Sequence, residues 1–369
     1  MFTVITVINL KIMKAEGKRH IWKDYQKDIA DDKFWYARSC IRQNFFPGSE
    51  TAFLRILREE LARDVHDSAC HTTCTGIGYH CDVVPFETTM TVVARQFALM
   101  SEKGYKNYAA SCITSFGLYT EILETWESHP HLLEKTRESL YKATGRTFEL
   151  PENLAHTSDI IFKFRNEIFA KQKHSLVNVH TGKPLKGVEH IGCHYSKMFP
   201  HKGVGGAEYP QVLAGLIEDW GGEVIDYPER RHCCGFGFRQ YVVKANRGYS
   251  VANSHKKFES MEPYKPDFIL TNCPGCPMFL DRWQYFIAET EGKTYGENGM
   301  GIPVLTYEEL AGIVLGYDPW ELGLQMHQVS VEPLLDKLGY QYDKNAKHNG
   351  MNGVSLGKPE NPVNLKICC

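Results

Sequence analysis

Three short fragments decide how this chain is read: Ile191-Gly-Cys-His-Tyr195, His232-Cys-Cys-Gly-Phe236 and Thr271-Asn-Cys-Pro-Gly-Cys276. Their cysteines follow the pattern Cys-x39-Cys-Cys-x38-Cys-x2-Cys. Each fragment comes after an apolar run, Val188 to Ile191, Val224 to Tyr227 or Phe268 to Leu270. Each run suits one buried strand, and helix-prone segments lie between them. Parallel strands would then bring five thiols to one end of one sheet, where open α/β sheets build their sites. Pro274 and Gly275 predict a turn that aims Cys273 and Cys276 the same way. Gly235 and Gly237 let backbone amides come close to sulfur.

A tetrahedral zinc needs four ligands, and so does a cubane iron–sulfur cluster. Five thiols, two of them adjacent in sequence, suit a polynuclear centre better. A structural zinc or a set of inert core thiols are the alternatives. The pattern resembles the cysteine-rich CCG domain of the heterodisulfide reductase B-type chain, whose motif runs Cys, a long spacer, Cys-Cys-Gly, a long spacer, Cys-x-x-Cys. The spacers here are slightly longer than usual for that family. The resemblance implies a non-cubane 4Fe-4S cluster that acts on S–S bonds, with Cys193, Cys233, Cys234, Cys273 and Cys276 as its ligands. It also implies a ferredoxin-like two-cluster partner (the C-type chain of such complexes), a flavin partner (the A-type chain) and a thiol, disulfide or protein-bound sulfur substrate.

The first half repeats the order in weaker form. Cys40, Cys74-Thr-Gly76 and Cys112-Ile-Thr-Ser115 align with Cys193, Cys233-Cys-Gly235 and Cys273-Pro-Gly-Cys276, with gaps of 33 against 39 and 36 against 38. This is read as an internal duplication. The expected fold is α/β, a duplicated CCG domain whose two Rossmann-like halves hold short parallel sheets flanked by helices. Residues 1–33 are expected to form an arm, 34–180 a degenerate CCG domain, 181–340 a complete one and 341–369 an extended tail. Thr75 and Ser115 replace two ligand positions, so three thiols carry over. Cys70 and Cys81, with His71 and His80, surround Cys74. Cys40, Cys70, Cys74, Cys81 and Cys112 are therefore candidate ligands for a second iron–sulfur cluster or a zinc; a metal-free copy is the alternative.

Near the complete motif, His190, His194 and His232 adjoin cluster cysteines, and His194 and His232 are the candidate proton carriers. Tyr195, Phe236 and Phe238 are expected to wall the site, and Met198 and Arg239 to border it. Lys202-Gly-Val-Gly-Gly-Ala207 lacks the order of a nucleotide cradle and reads as a loop. The helix after Pro277 is expected to set its N-terminus beside the thiolates.

Composition narrows the function. The chain has 369 residues, 43% hydrophobic and 12% aromatic, with 42 basic and 44 acidic side chains for a net charge of -2. Nothing in that balance favours nucleic acid or an anionic membrane. No apolar run reaches the ~18–20 residues of a membrane span. Val4 to Ile12 lacks a following cleavage site and is expected not to be a signal peptide. Twelve cysteines gathered in motifs point to metal or redox chemistry in a reducing cytoplasm. Cys368-Cys369 does not form a lipidation box. Two rival functions keep the sequence pattern: an electron-wiring or docking subunit like the cysteine-rich subunit of atypical succinate:quinone reductases, and a zinc-stabilised interaction module.

Overall fold

The structure, a computed structural model, describes residues 29–30, 32–71, 76–198, 210–236 and 247–344. The N-terminal arm up to residue 28, Cys74, Thr75, the glycine-rich loop, Gly237, Phe238, Arg239 and Cys368-Cys369 lie outside the described residues.

The first half opens with strand β1 (Lys33–Ala37), whose Phe34-Trp-Tyr36 run is fully enclosed. Helices α1 (Cys40–Phe45) and α2 (Pro47–Arg55) follow, then a π-helical turn at Ile56–Glu60 and strand β2 (Asp64–Asp67). Helices α3 (Gly76–His80) and α4 (Phe86–Glu102) lead to β3 (Asn107–Ala110). Next come α5 (Ile113–Ser128), α6 (Pro130–Thr144), β4 (Asn153–His156), α7 (Thr157–Lys163) and α8 (Arg165–Phe169). The second half contains β5 (Lys186–His190), a π-helical turn at His194–Met198, α9 (Val212–Asp219), β6 (Glu223–Val224) and α10 (Arg247–Met261). It continues through β7 (Phe268–Thr271), α11 (Gly275–Glu291), β8 (Val304–Thr306), α12 (Tyr307–Leu315) and α13 (Glu332–Lys337).

The strands form two four-stranded sheets, ordered β2-β1-β3-β4 and β6-β5-β7-β8. Every pair is parallel. The second order is the first advanced by four strands, so the duplication read from the cysteines is present in the topology. In each sheet, chain order reverses between the two central strands, and ligand sites form outside the carboxyl ends of strands at such a switch point. Ala37 pairs with Ala110 in one sheet and His190 with Thr271 in the other, so Cys40, Cys112, Cys193 and Cys273 all lie just beyond switch-point strands.

Several elements differ from the sequence reading for local reasons. Cys40 opens a helix instead of ending a strand, because the Ser39 side chain accepts from the Arg42 amide and caps α1. The helical turns that begin at Pro47 stop at Glu60, and β2 follows with the sequence Asp-Val-His-Asp, which has no apolar run to reveal it. Strand β4, Asn-Leu-Ala-His, has no apolar run to announce it. The strand expected at Val224–Tyr227 is only the pair Glu223–Val224.

One apolar core runs through both halves, from Trp35, Phe97 and Trp126 to Phe268, Ile269 and Leu305. The halves also share a buried polar seam. Arg42 is fully buried, 2.6 Å from the Glu308 carboxylate at the start of α12. Its guanidinium also donates to the Ser111 carbonyl at 2.6 Å, the Ser49 hydroxyl at 3.1 Å and the Tyr307 hydroxyl at 3.3 Å. Tyr195 donates to the buried Asp159 carboxylate at the start of α7, and the Thr157 and Tyr307 hydroxyls bond across the junction. Arg42 lies two residues after Cys40, and Tyr195 two after Cys193. Each cysteine-bearing turn is thus pinned by the last βα unit of the opposite half.

Candidate metal centre

The second-half thiols reach one place by three routes. Strand β5 ends at His190, and Cys193 follows after Ile191-Gly192. Gly192 is tight: its amide donates to the Asn272 side chain at 2.9 Å, and a Cβ there would lie 2.9 Å from that of Cys273 and 3.0 Å from the Ile113 side chain. This close approach joins the ends of β5 and β7. Asn272 and Cys273 lead into α11, which places Cys276 in its first turn. Cys233 and Cys234 arrive on an irregular segment between β6 and α10.

Glu189, His190, Cys193, Cys233, Cys234 and Cys276 line one cavity. Cys273 stands behind it, buried and hydrogen-bonded to Cys276. His190, Cys234 and Cys276 offer ligand atoms all within 4.8 Å of one another, and all three residues are buried. The amides of Gly235 and Phe236 lie 3.3 and 3.5 Å from the sulfurs of Cys233 and Cys234 and donate to them. Phe236 packs against Gly275, where a Cβ would meet its ring at 2.7 Å, and against Phe279. Tyr195 is buried, whereas Met198 is 46% exposed.

The electrostatics are those of crowded thiols. Burial and the neighbouring Cys234 and Cys273 push the Cys193 thiol up to about 12. Hydrogen bonds to Cys234 and Cys273 hold Cys276 well above the usual thiol range. Cys234 is favoured as thiolate by hydrogen bonds from Cys233, Cys276 and His190. Such a pocket sheds its remaining protons when a metal arrives, because thiolate is the ligating form. Several features of the donor set suit a thiolate-bound iron–sulfur centre: the converging sulfurs, the amides aimed at them, and the buried His190 Nδ1 without a hydrogen-bond partner.

The histidines divide. The ring of His194 lies beside Cys193, Nδ1 to Sγ 3.8 Å, and faces the ring of His80 from the first half at 5.1 Å. Burial and His80 pull it down to about 4, so it is a neutral imidazole at neutral pH. His232 is engaged with the side chains of Asn253 at 3.0 Å and Glu229 at 3.5 Å. His190 is the member of the centre that the sequence reading treated only as a neighbour; its position as the last residue of β5 is the signal that could have singled it out. Lys257, buried on α10, had no signal except its place on a helix face.

In the first half, Cys40 begins α1, Cys112 caps α5, Cys81 follows α3 and Cys70 follows β2. Cys112 is buried and the other three are partly exposed. Among the described residues, no three metal-ligating side chains of this half come as close together as the trio of the second half. His71 turns to the Tyr108 hydroxyl at 3.1 Å, and His80 turns to His194.

Among the described residues no helix is long and apolar enough to cross a membrane. Residues 188–281 match the family model of the CCG cysteine-rich domain. The chain is 27% identical over 323 residues to the B-type chain of the ferredoxin:CoB-CoM heterodisulfide reductase of Methanosarcina acetivorans, covering 85% of this chain and 98% of that one. It is 26% identical over 172 residues to the 8-methylmenaquinol:fumarate reductase membrane anchor subunit of Wolinella succinogenes, covering 46% of this chain and 54% of that one. In fold it resembles a hypothetical protein from Helicobacter pylori, with a TM-score of 0.60 and 12% identity, over 84% of this chain and 57% of that one.

Proposed function

We propose, from the premise that this chain belongs to the family of heterodisulfide reductase B-type chains, that it is the catalytic iron–sulfur subunit of a heterodisulfide-reductase-like complex. The convergence of His190, Cys234 and Cys276 within 4.8 Å, with Cys193, Cys233 and Cys273 beside them, carries the reading. Cys193, Cys233, Cys234, Cys273 and Cys276 hold a non-cubane 4Fe-4S cluster. When bound, that group would supply an iron site able to take one sulfur of an S–S bond, giving electrons when the bond breaks and accepting them when it forms.

The chain's own residues do the rest. Cys193 keeps solvent-exposed surface although it is densely surrounded, so substrate sulfur approaches past it. His194 beside it accepts or returns the proton of a substrate thiol as a neutral imidazole, and the neighbouring His80 ring limits its rotation. His232 borders the cavity and keeps its orientation through Asn253 and Glu229. Phe236 and Phe279 close the inner wall against water. Electrons come from a ferredoxin-type partner, itself supplied by a flavin protein, in a reducing cytoplasm. The substrate is a low-molecular-weight thiol or disulfide, or protein-bound sulfur. The first half holds a second iron–sulfur cluster or a zinc through Cys40, Cys74 and Cys112, with Cys70 or Cys81 completing the set.

The test is anaerobic electron paramagnetic resonance of the oxidised protein with and without added thiol. A signal that changes on thiol addition supports substrate binding at the cluster. The likeness to the fumarate reductase anchor favours a second reading, an electron-transfer or docking role, and an iron signal indifferent to thiols would select it.

A further inference from the structure

Helix α10 has a polar stripe on its buried face. Ser250, Ser254 and Lys257 are each 0% exposed and recur at the spacing of one helix face. All three point at the segment that carries Cys233 and Cys234. The Ser250 hydroxyl donates to the Gly235 carbonyl and the Ser254 hydroxyl to the Cys234 carbonyl, both at 2.5 Å. The Lys257 ammonium donates to the carbonyls of Glu229 at 2.6 Å and Arg230 at 3.0 Å, and to the Tyr227 hydroxyl at 2.9 Å. Gly235 fits this contact because its φ is +93°, and a Cβ there would lie 2.3 Å from the Ser250 carbonyl oxygen. Strand β6 is only two residues long, so the helix takes over the backbone bonding that a longer strand would have supplied.

A buried ammonium is costly unless an anion faces it. The bonds of Lys257 go to uncharged oxygens. Around it, the Glu229 carboxylate is taken by Lys256 at 2.8 Å, and Arg230 is paired with Glu189. Burial pulls Lys257 down to about 7, while Cys234, Cys276 and Cys233 act in the opposite direction. Ser254, one turn before Lys257 on the same buried face, bonds the Cys234 carbonyl, so the ammonium and the di-cysteine thiols lie on one side of α10.

We propose that α10 is the seat of the di-cysteine turn: Ser250 and Ser254 position its backbone, and Lys257, one turn beyond Ser254 on the same buried face, supplies a positive charge on the cluster's side of the helix once the thiolates hold iron. The proposal rests on the iron–sulfur reading given above. Lys257 is a positioning and charge-compensating residue, and removing its charge makes an anionic centre harder to reduce.

The experiment uses the full chain, metal-free and after anaerobic reconstitution with iron and sulfide. Iron and sulfide in the wild type decide the iron–sulfur reading; the variants, compared with that wild type, decide this inference. Lys257→Gln loses the charge and keeps an amide with two of the three donors. Loaded, it is expected to reduce at a more negative potential than wild type. Metal-free, it is expected to melt at or above the wild-type temperature, because a buried charge without a carboxylate partner has been removed. Ser254→Ala keeps the charge and loosens the turn; its iron affinity is expected to fall about tenfold, as for other groups that orient ligands, with a potential near wild type. An unchanged potential in loaded Lys257→Gln overturns the proposal. If that variant takes up no iron, the metal-free melt decides: a temperature at or above wild type supports the charge role, and a lower one assigns Lys257 to packing alone and overturns it.

Discussion

The two halves have one strand order and one placement of their outer thiols, yet only the second gathers a tight ligand trio among the described residues. Cys40 follows β1 as Cys193 follows β5, and Cys112 follows β3 as Cys273 follows β7. The members of the trio are what the first half lacks: Ala37 stands where His190 stands, Thr75 aligns with Cys234, and Ser115 with Cys276. The fold by itself delivers thiols to switch points in both halves. Whether they meet depends on the residues one turn further in. Substitution at a few positions can thus change the metal chemistry of a half while its sheet stays the same, and the altered half continues to brace its neighbour through Arg42, Asp159 and Thr157.

Five substitutions sharpen or break this comparison, from the largest expected effect to the smallest. Cys234→Ala removes the central sulfur of the trio, and all of the iron attributable to the second half should be lost in iron and sulfide analysis. Retention of the wild-type spectrum would place the centre elsewhere. Arg42→Met leaves Glu308 buried without its partner and should destabilise the chain by about 3–5 kcal/mol in denaturant unfolding. A negligible change would mean the halves are not braced there. Tyr195→Phe keeps the ring and removes the bond to Asp159, for a loss of about 1.5–3 kcal/mol, the range for hydrogen bonds to charged groups. Because Tyr195 follows Cys193 by two residues, this variant should disturb the second-half spectrum more than the Arg42 variant does; the reverse order would deny the pseudo-symmetric pinning. Cys70→Ala and Cys81→Ala should lower first-half metal only, with stability within about 0.5 kcal/mol of wild type. Unchanged total metal in both would leave that half empty or ligated by other residues.

The fold was readable because parallel sheets covered by helices write their central strands as apolar runs, as in Phe34-Trp-Tyr36 and Phe268-Ile-Leu270. Edge strands lack that pressure, so Asp64–Asp67 and Asn153–His156 carry no apolar run that marks them as strands. The convergence of the second-half thiols followed from strand ends and the Cys-Pro-Gly-Cys turn. The parts that stayed hidden depend on tertiary approach. The end of β5 marks where His190 sits but not that it faces Cys234 and Cys276, and nothing separates Lys257 from the exposed Lys256 beside it except the face of α10 each occupies. The contact of His80 with His194 brings together residues from different halves, which periodicity within one element cannot reveal.

The central claim is that the second-half sulfurs surround iron and not zinc. Anaerobic quantification of iron, zinc and acid-labile sulfide in wild type and Cys234→Ala, purified side by side, tests it most directly. The account predicts iron with sulfide in the wild type and a loss of both in the variant. Zinc without sulfide in the wild type, or equal iron in the two proteins, would contradict it.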